Sequence, residues 1–165
     1  MDQSTAEKAE YGNWVSTKLV VVPGVIGLFF VALAFLLPGL ILVALVFFLC
    51  ALYFAYARYQ FSPQGRDIQT RIRNLVIDHT KGWDGTGRIL DIGCGNGPLS
   101  IDLAKAYPQA QVLGVDYWGG TWEYSKAVCE RNAELKGVAD RVSFERASAL
   151  ALPYDDGAFD MVVSN

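Results

Sequence analysis

Residues 19–57 form a run of 39 positions without one charged side chain. No other feature constrains the fold as strongly, because a run this long has to find an apolar solvent on every side. At about 1.5 Å of rise per residue, the stretches 19–37 and 40–57 each extend roughly 27 Å, close to the ~30 Å hydrocarbon core of a bilayer. The run is too long for one ordinary span and fits two. Pro38 and Gly39 mark the reversal between them, the first lacking an amide donor and the second free to take turn conformations. A signal peptide would start basic and stop much sooner. A soluble core helix rarely runs past about 20 residues without a polar face.

The spacing therefore predicts two transmembrane helices in 19–57 with a turn at 38–39. A hairpin returns the chain to its starting side. Lys18, Arg58, Arg66, Arg71 and Arg73 flank the spans, and the positive-inside bias puts that side in the cytoplasm. Trp14, Tyr53, Tyr56 and Tyr59 fall near the span ends, where aromatic rings favour the interface. Residues 1–18 read as a cytoplasmic N-terminal tail, and the chain as a multi-pass membrane protein whose soluble part faces the cytoplasm.

Residues 58–86 read as a juxtamembrane connector followed by a helix: Ser62-Pro63 and Gly65 discourage helix, then Ile68, Ile72, Leu75 and Val76 recur at helical intervals. His79 reads as a helix-end residue. From Gly82 onward seven basic residues face twelve acidic ones, so no nucleic-acid partner is expected. Three scattered cysteines and one histidine support neither a disulfide framework nor a metal site.

The pattern then alternates between strand and helix. Strands are expected at 88–92, 112–115, 142–145 and 159–164, with helices at 98–107 and 121–135. Such alternation argues for an α/β domain, a Rossmann-like doubly wound parallel sheet that binds ligands at the carboxyl ends of its strands. "GRILDIGCGNGPLS" at 87–100 places Gly93, Gly95 and Gly97 after the first strand, a concession made where backbone turns with positive φ or passes close to something. The G-x-G-x-G spacing puts Pro98 where the last dinucleotide glycine would fall, which disfavours a nicotinamide enzyme, and no Gly-Lys-Ser/Thr follows to make a P-loop.

"LDIGCGNG", then "VLGVD" ending in Asp116, then "LPYDDGAFDMVVSN", resembles the class I S-adenosylmethionine-dependent methyltransferases over residues 66–165. The resemblance implies S-adenosyl-L-methionine as cofactor, with Asp91 and the loop Gly93, Cys94, Gly95, Asn96 and Gly97 around its methionyl and ribose portions. It implies that Asp91 accepts from the ligand's ammonium and Asp116 from the two ribose hydroxyls, and that Tyr117 and Trp118 line the adenine. Ser148 stands where the family often has an acid for the adenine amino group, so its hydroxyl or the backbone at Ala149 takes that contact. Asn165 arrives where the fourth strand meets the reacting methyl.

On this reading 87–165 is the S-adenosylmethionine-binding half of a methyltransferase domain, truncated after four strands in the order third, second, first, fourth, and inactive by itself. The implied function is a membrane-anchored methyltransferase acting on a small-molecule or lipid acceptor, with the bilayer as its other partner. A regulatory module that binds the cofactor without turnover is the alternative. Methyl transfer from a sulfonium needs no metal, and no residue is assigned as catalytic base.

Overall fold

The computed structural model describes residues 7–120 and 122–165. The chain divides into two compact units: residues 13–70 form one, and residues 7–12 together with 71–165 form the other.

The first unit is built on two helices, α1 (Thr17–Ala34) and α2 (Leu40–Phe61). The Ser16 hydroxyl caps α1 by accepting from the Lys18 amide at 3.3 Å. Gly27 and Ala44 are the buried positions of these helices among the described residues. A side chain at Gly27 would meet the Phe48 ring at 2.9 Å, so the glycine lets the two helices approach. Phe30 and Phe47 stack with centroids 5.7 Å apart. The base of the hairpin is tied by polar groups: Asn13 Nδ2 donates to the Arg58 carbonyl at 3.0 Å, the Arg58 guanidinium donates to the Val15 carbonyl, and Trp14 packs on Phe61.

The reversal lies where expected, but α1 stops at Ala34, ahead of the expected 37, and α2 runs beyond the expected 57. The second difference has a plain cause. Arg58 ends the apolar run but suits a helix well; what stops the helix is Ser62, held extended at φ −86° and ψ 156° by the following Pro63. Both helices are long and apolar enough to cross a membrane.

After α3 (Ile68–His79), most of which belongs to the second unit, come β1 (Thr86–Ile92), α4 (Pro98–Ala106), β2 (Gln109–Asp116), α5 (Lys126–Leu135), β3 (Val142–Arg146) and β4 (Met161–Val163). The strands pair in parallel in the order β3-β2-β1-β4, as expected from the sequence. Ile89, Leu99, Ile101, Leu103, Val112 and Phe144 form the centre of a core between one sheet face and its helices. Leu90, Leu113 and Val115 point to the other face, where Ile92, Leu152, Tyr154 and Phe159 cover them. Arg73 on α3 ties to Asp102 on α4 at 3.2 Å.

Several boundaries differ from expectation. β2 begins at Gln109 because Thr86–Ile92 offers it a full parallel partner. β4 covers only 161–163. The helix expected from 121 begins at Lys126, where the Ser125 hydroxyl accepts from the Val128 amide at 3.3 Å; Thr121 lies outside the described residues.

Candidate functional site

The carboxyl ends of β1 and β2 converge on the glycine loop. Gly93 and Cys94 donate their amides to the Val115 carbonyl at 2.8 and 3.1 Å, which folds the loop back over the end of β2. Gly97 closes it with φ +79°, and Pro98 follows as the first residue of α4, where its missing amide costs nothing. A side chain at Gly97 would lie 2.8 Å from the Phe144 ring, so this glycine serves turn geometry and packing.

Asp116 organises the loop. One carboxylate oxygen accepts from the Gly95 amide at 2.9 Å and the other from the Trp118 amide at 2.8 Å. Each oxygen retains a further lone pair. The Gly95 carbonyl accepts from Trp118 Nε1 at 2.8 Å and from the Cys129 thiol at 3.1 Å. Trp118 reaches this position with φ +45°, which turns its indole toward the loop and the core.

Beside the loop lies a cavity of about 250 Å³, bounded by Ile92 and Gly93 after β1, Val115 to Tyr117 at the end of β2, and Ala147 to Leu150 after β3. A Cβ at Gly93 would meet nothing within 4 Å, so the backbone faces open space there. Tyr117 is exposed, with the Arg146 guanidinium 4.7 Å from its ring centroid. The Ser148 hydroxyl accepts from the Leu150 amide at 3.3 Å and shapes the far wall.

Asp91 differs from Asp116 in its surroundings. It is fully buried, and Oδ2 accepts from the Ser100 hydroxyl at 2.6 Å while Oδ1 accepts no hydrogen bond from the described residues. Burial pushes its carboxyl up to about 6; the Ser100 bond opposes the shift and the Asp116 charge adds to it. An orphaned acceptor of this kind is costly unless a donor reaches it.

The structure thus divides the residues singled out in the sequence. Gly93, Asp116, Tyr117, Ser148 and Ala149 line the cavity. Cys94 is part of the core, its thiol pushed up by a hydrogen bond with Cys129 and by burial. Gly95, Asn96, Gly97 and Trp118 hold the loop in shape rather than line the cavity, and Asn165 is exposed and does not line it. Arg146 was not anticipated. Its signal is its register: it ends β3 directly opposite Asp116. Among the described residues no cluster of three or more histidine, cysteine or acidic side chains is placed to hold a metal.

Comparison with known proteins decides the class. Residues 89–165 match the family model described as a methyltransferase domain. These residues belong to the S-adenosylmethionine-dependent methyltransferases. A demethylmenaquinone methyltransferase of Thermus thermophilus is 43% identical over 98 residues, covering 59% of this chain and 40% of the relative. A release factor glutamine methyltransferase of Chlorobaculum tepidum is 39% identical over 119 residues, covering 65% and 39%. A solved geranyl diphosphate C-methyltransferase from Streptomyces coelicolor, holding Mg2+, geranyl diphosphate and S-adenosyl-L-homocysteine, shares the fold with a TM-score of 0.51 at 19% identity, covering 61% of this chain and 36% of that one. The chain spans about two fifths of the length of these two curated relatives. The methyltransferase domain's cofactor is S-adenosyl-L-methionine, and the residues present fit it: a cavity at the strand ends, open space at Gly93, and an unpartnered carboxylate oxygen on Asp91.

Proposed function

We propose that the protein is a membrane-anchored methyltransferase that transfers a methyl group from S-adenosyl-L-methionine to a small-molecule or lipid acceptor. The observation that carries this reading is the cavity between Gly93, Asp116 and Ser148 at the carboxyl ends of parallel strands, in a chain whose first two helices are long and apolar enough to cross a membrane. When bound, the cofactor supplies an electrophilic methyl group on a sulfonium. Asp116 accepts from the ribose hydroxyls with the lone pairs left over from Gly95 and Trp118. Asp91 receives the ligand's ammonium at Oδ1, which answers its buried orphan acceptor. Tyr117, braced by Arg146, flanks the adenine, and Ser148 with the Ala149 backbone bounds its far edge. The chain's part in rate is to hold the cofactor in a fixed pose, since alignment of reacting atoms provides much of the acceleration in displacement chemistry.

The hairpin reading is supported by the reversal between two apolar helices, which brings the chain back to the side it started from. With the arginine-rich flank this side is the cytoplasm. Incubating full-length protein with membrane extract and S-adenosylmethionine carrying a labelled methyl, followed by mass spectrometry of lipid and small-molecule fractions, tests the function. Label in a lipid or small molecule is expected. Cofactor binding with no labelled product in any fraction would favour a module without turnover.

A further inference from the structure

Residues 7–12, read from the sequence as part of a tail, are bound tightly to the glycine loop. Asn132 on α5 is 1% exposed, and its side-chain amide grips Glu10 from both sides. Its Oδ1 accepts from the Glu10 amide at 2.8 Å and its Nδ2 donates to the Glu10 carbonyl at 3.0 Å, reproducing the pairing one strand offers another. The same Nδ2 donates to the Asn96 carbonyl at 3.0 Å. Asn96, also buried, donates to the Glu10 carbonyl at 3.1 Å and accepts from the Ser125 amide at 3.1 Å.

The neighbours on either side complete the attachment. Glu7 pairs with Arg131. Tyr11 packs on the core with the Arg73 guanidinium 5.7 Å from its ring, and burial, helped by the Asp102 charge, pushes its hydroxyl up to about 12. Gly12 has φ +71°, and a side chain there would run into the Tyr124 ring at 2.6 Å, the ring that also lies 3.5 Å from where a Cβ of Gly95 would stand. The segment therefore touches the loop at Asn96, between the Gly95 amide that Asp116 holds and the Gly97 turn. Lifting it away would take from the buried Asn132 Oδ1 and Asn96 Nδ2 the Glu10 groups they bond, and a buried polar atom that loses its partner is unfavourable.

We propose that residues 7–12 act as a strap that positions the glycine loop for the cofactor, with Asn96 and Asn132 as its positioning residues, so that the segment entering the first apolar helix sets cofactor affinity. This rests on the reading of the cavity as the S-adenosylmethionine site. It gives the chain a covalent route from hairpin to loop: a displacement that draws on residues 7–12 reaches Asn96 directly.

The test uses full-length protein in lipid nanodiscs, with S-adenosylhomocysteine binding followed by calorimetry and amide hydrogen exchange at 7–12 and 93–97. Glu10→Pro removes the amide that Asn132 accepts from and leaves every side chain of the loop in place. It should raise Kd by roughly fivefold to thirtyfold and speed exchange in both segments. Gly12→Val, which strains the backbone and collides with Tyr124, should act in the same direction. Asn132→Ala added to Glu10→Pro should cost less than the product of the two single effects, because both break the Glu10–Asn132 pairing; independent structural losses would multiply. Faster exchange at 7–12 with unchanged Kd would overturn the strap while leaving the cofactor reading intact. Failure of the unaltered protein to bind S-adenosylhomocysteine would overturn both.

Discussion

Ile89 in β1 and Leu42 in α2 are both branched aliphatic residues, yet Ile89 is fully buried among the side chains of its own domain while Leu42 is 68% exposed. The sheet makes its own apolar solvent, with α4 and α5 on one face and the segment after β3 on the other. The hairpin does not. Its helices touch through Gly27, Ala44 and stacked phenylalanines, and most of their remaining apolar surface points outward. Apolar composition alone therefore does not tell where a residue sits. What differs is periodicity: charged and polar positions interrupt α4 and α5 on one side, whereas α1 and α2 carry charged side chains only at their ends, at Lys18 and Arg58.

Substitutions in the two regions should separate these cases. Ile89→Ala should lower the unfolding free energy of the sheet unit by roughly 2–5 kcal/mol, since it removes buried methyl groups and leaves a cavity, measured as a shift in chemical denaturation followed by Trp118 and Trp83 fluorescence. Leu42→Ala should leave that transition where it is. An equal shift for both would mean that α2 shares the sheet's core.

Leu49→Arg, near the centre of α2, tests the other solvent. On the membrane-anchored reading an arginine at the middle of a span costs about 2.5–3.5 kcal/mol on insertion scales, so the protein should lose membrane association in a carbonate-extraction assay. Retention of full membrane association and cytoplasm-side orientation would contradict the hairpin.

A smaller effect distinguishes the two aspartates of the site. Asp91 has its carboxyl raised from the ordinary 3.8 to about 6 by burial. With a folded value above the unfolded one, its contribution to stability is complete below pH about 4 and is lost as pH rises through 6. Ligand binding runs the other way, because the ammonium needs the carboxylate. Affinity for S-adenosylhomocysteine should fall as pH drops below 6, by up to about tenfold per unit, and Asp91→Asn should flatten that profile. A wild-type profile flat from pH 5 to 8 would remove Asp91 from ammonium recognition.

The smallest expected effect is at Ser148. Its hydroxyl already accepts from the Leu150 amide, so Ser148→Ala should weaken cofactor binding by only about 0.5–1.5 kcal/mol through a loosened wall.

Much of this was legible in the sequence because it rests on local rules. The uncharged run with Pro38-Gly39 pointed to the two apolar helices, the strand-helix alternation to parallel strands, and the resemblance carried by "LDIGCGNG" and Asp116 to their order. What stayed hidden depends on contacts between distant positions. Nothing in a window around Glu10 announces Asn132, 122 residues away. Arg146 reaches Tyr117 only because β3 pairs in register with β2. The packing of Gly97 on Phe144 and the hydrogen bond of Cys94 with Cys129 are contacts that the motif does not announce. Charge also misplaced one boundary, since Arg58 marks where lipid should end while the helix continues to the Ser62-Pro63 stop.

The central claim is that Asp116 holds the ribose of S-adenosylmethionine at the end of β2. Calorimetry on the full-length protein can compare S-adenosylhomocysteine with its 2′-deoxy analogue, in the wild type and in Asp116→Ala. The account predicts that the wild type binds the deoxy analogue more weakly by about 1.5–3 kcal/mol, a charge-assisted hydrogen bond lost, and that Asp116→Ala binds both ligands weakly and nearly equally. Equal affinity of the wild type for the two ligands would contradict it.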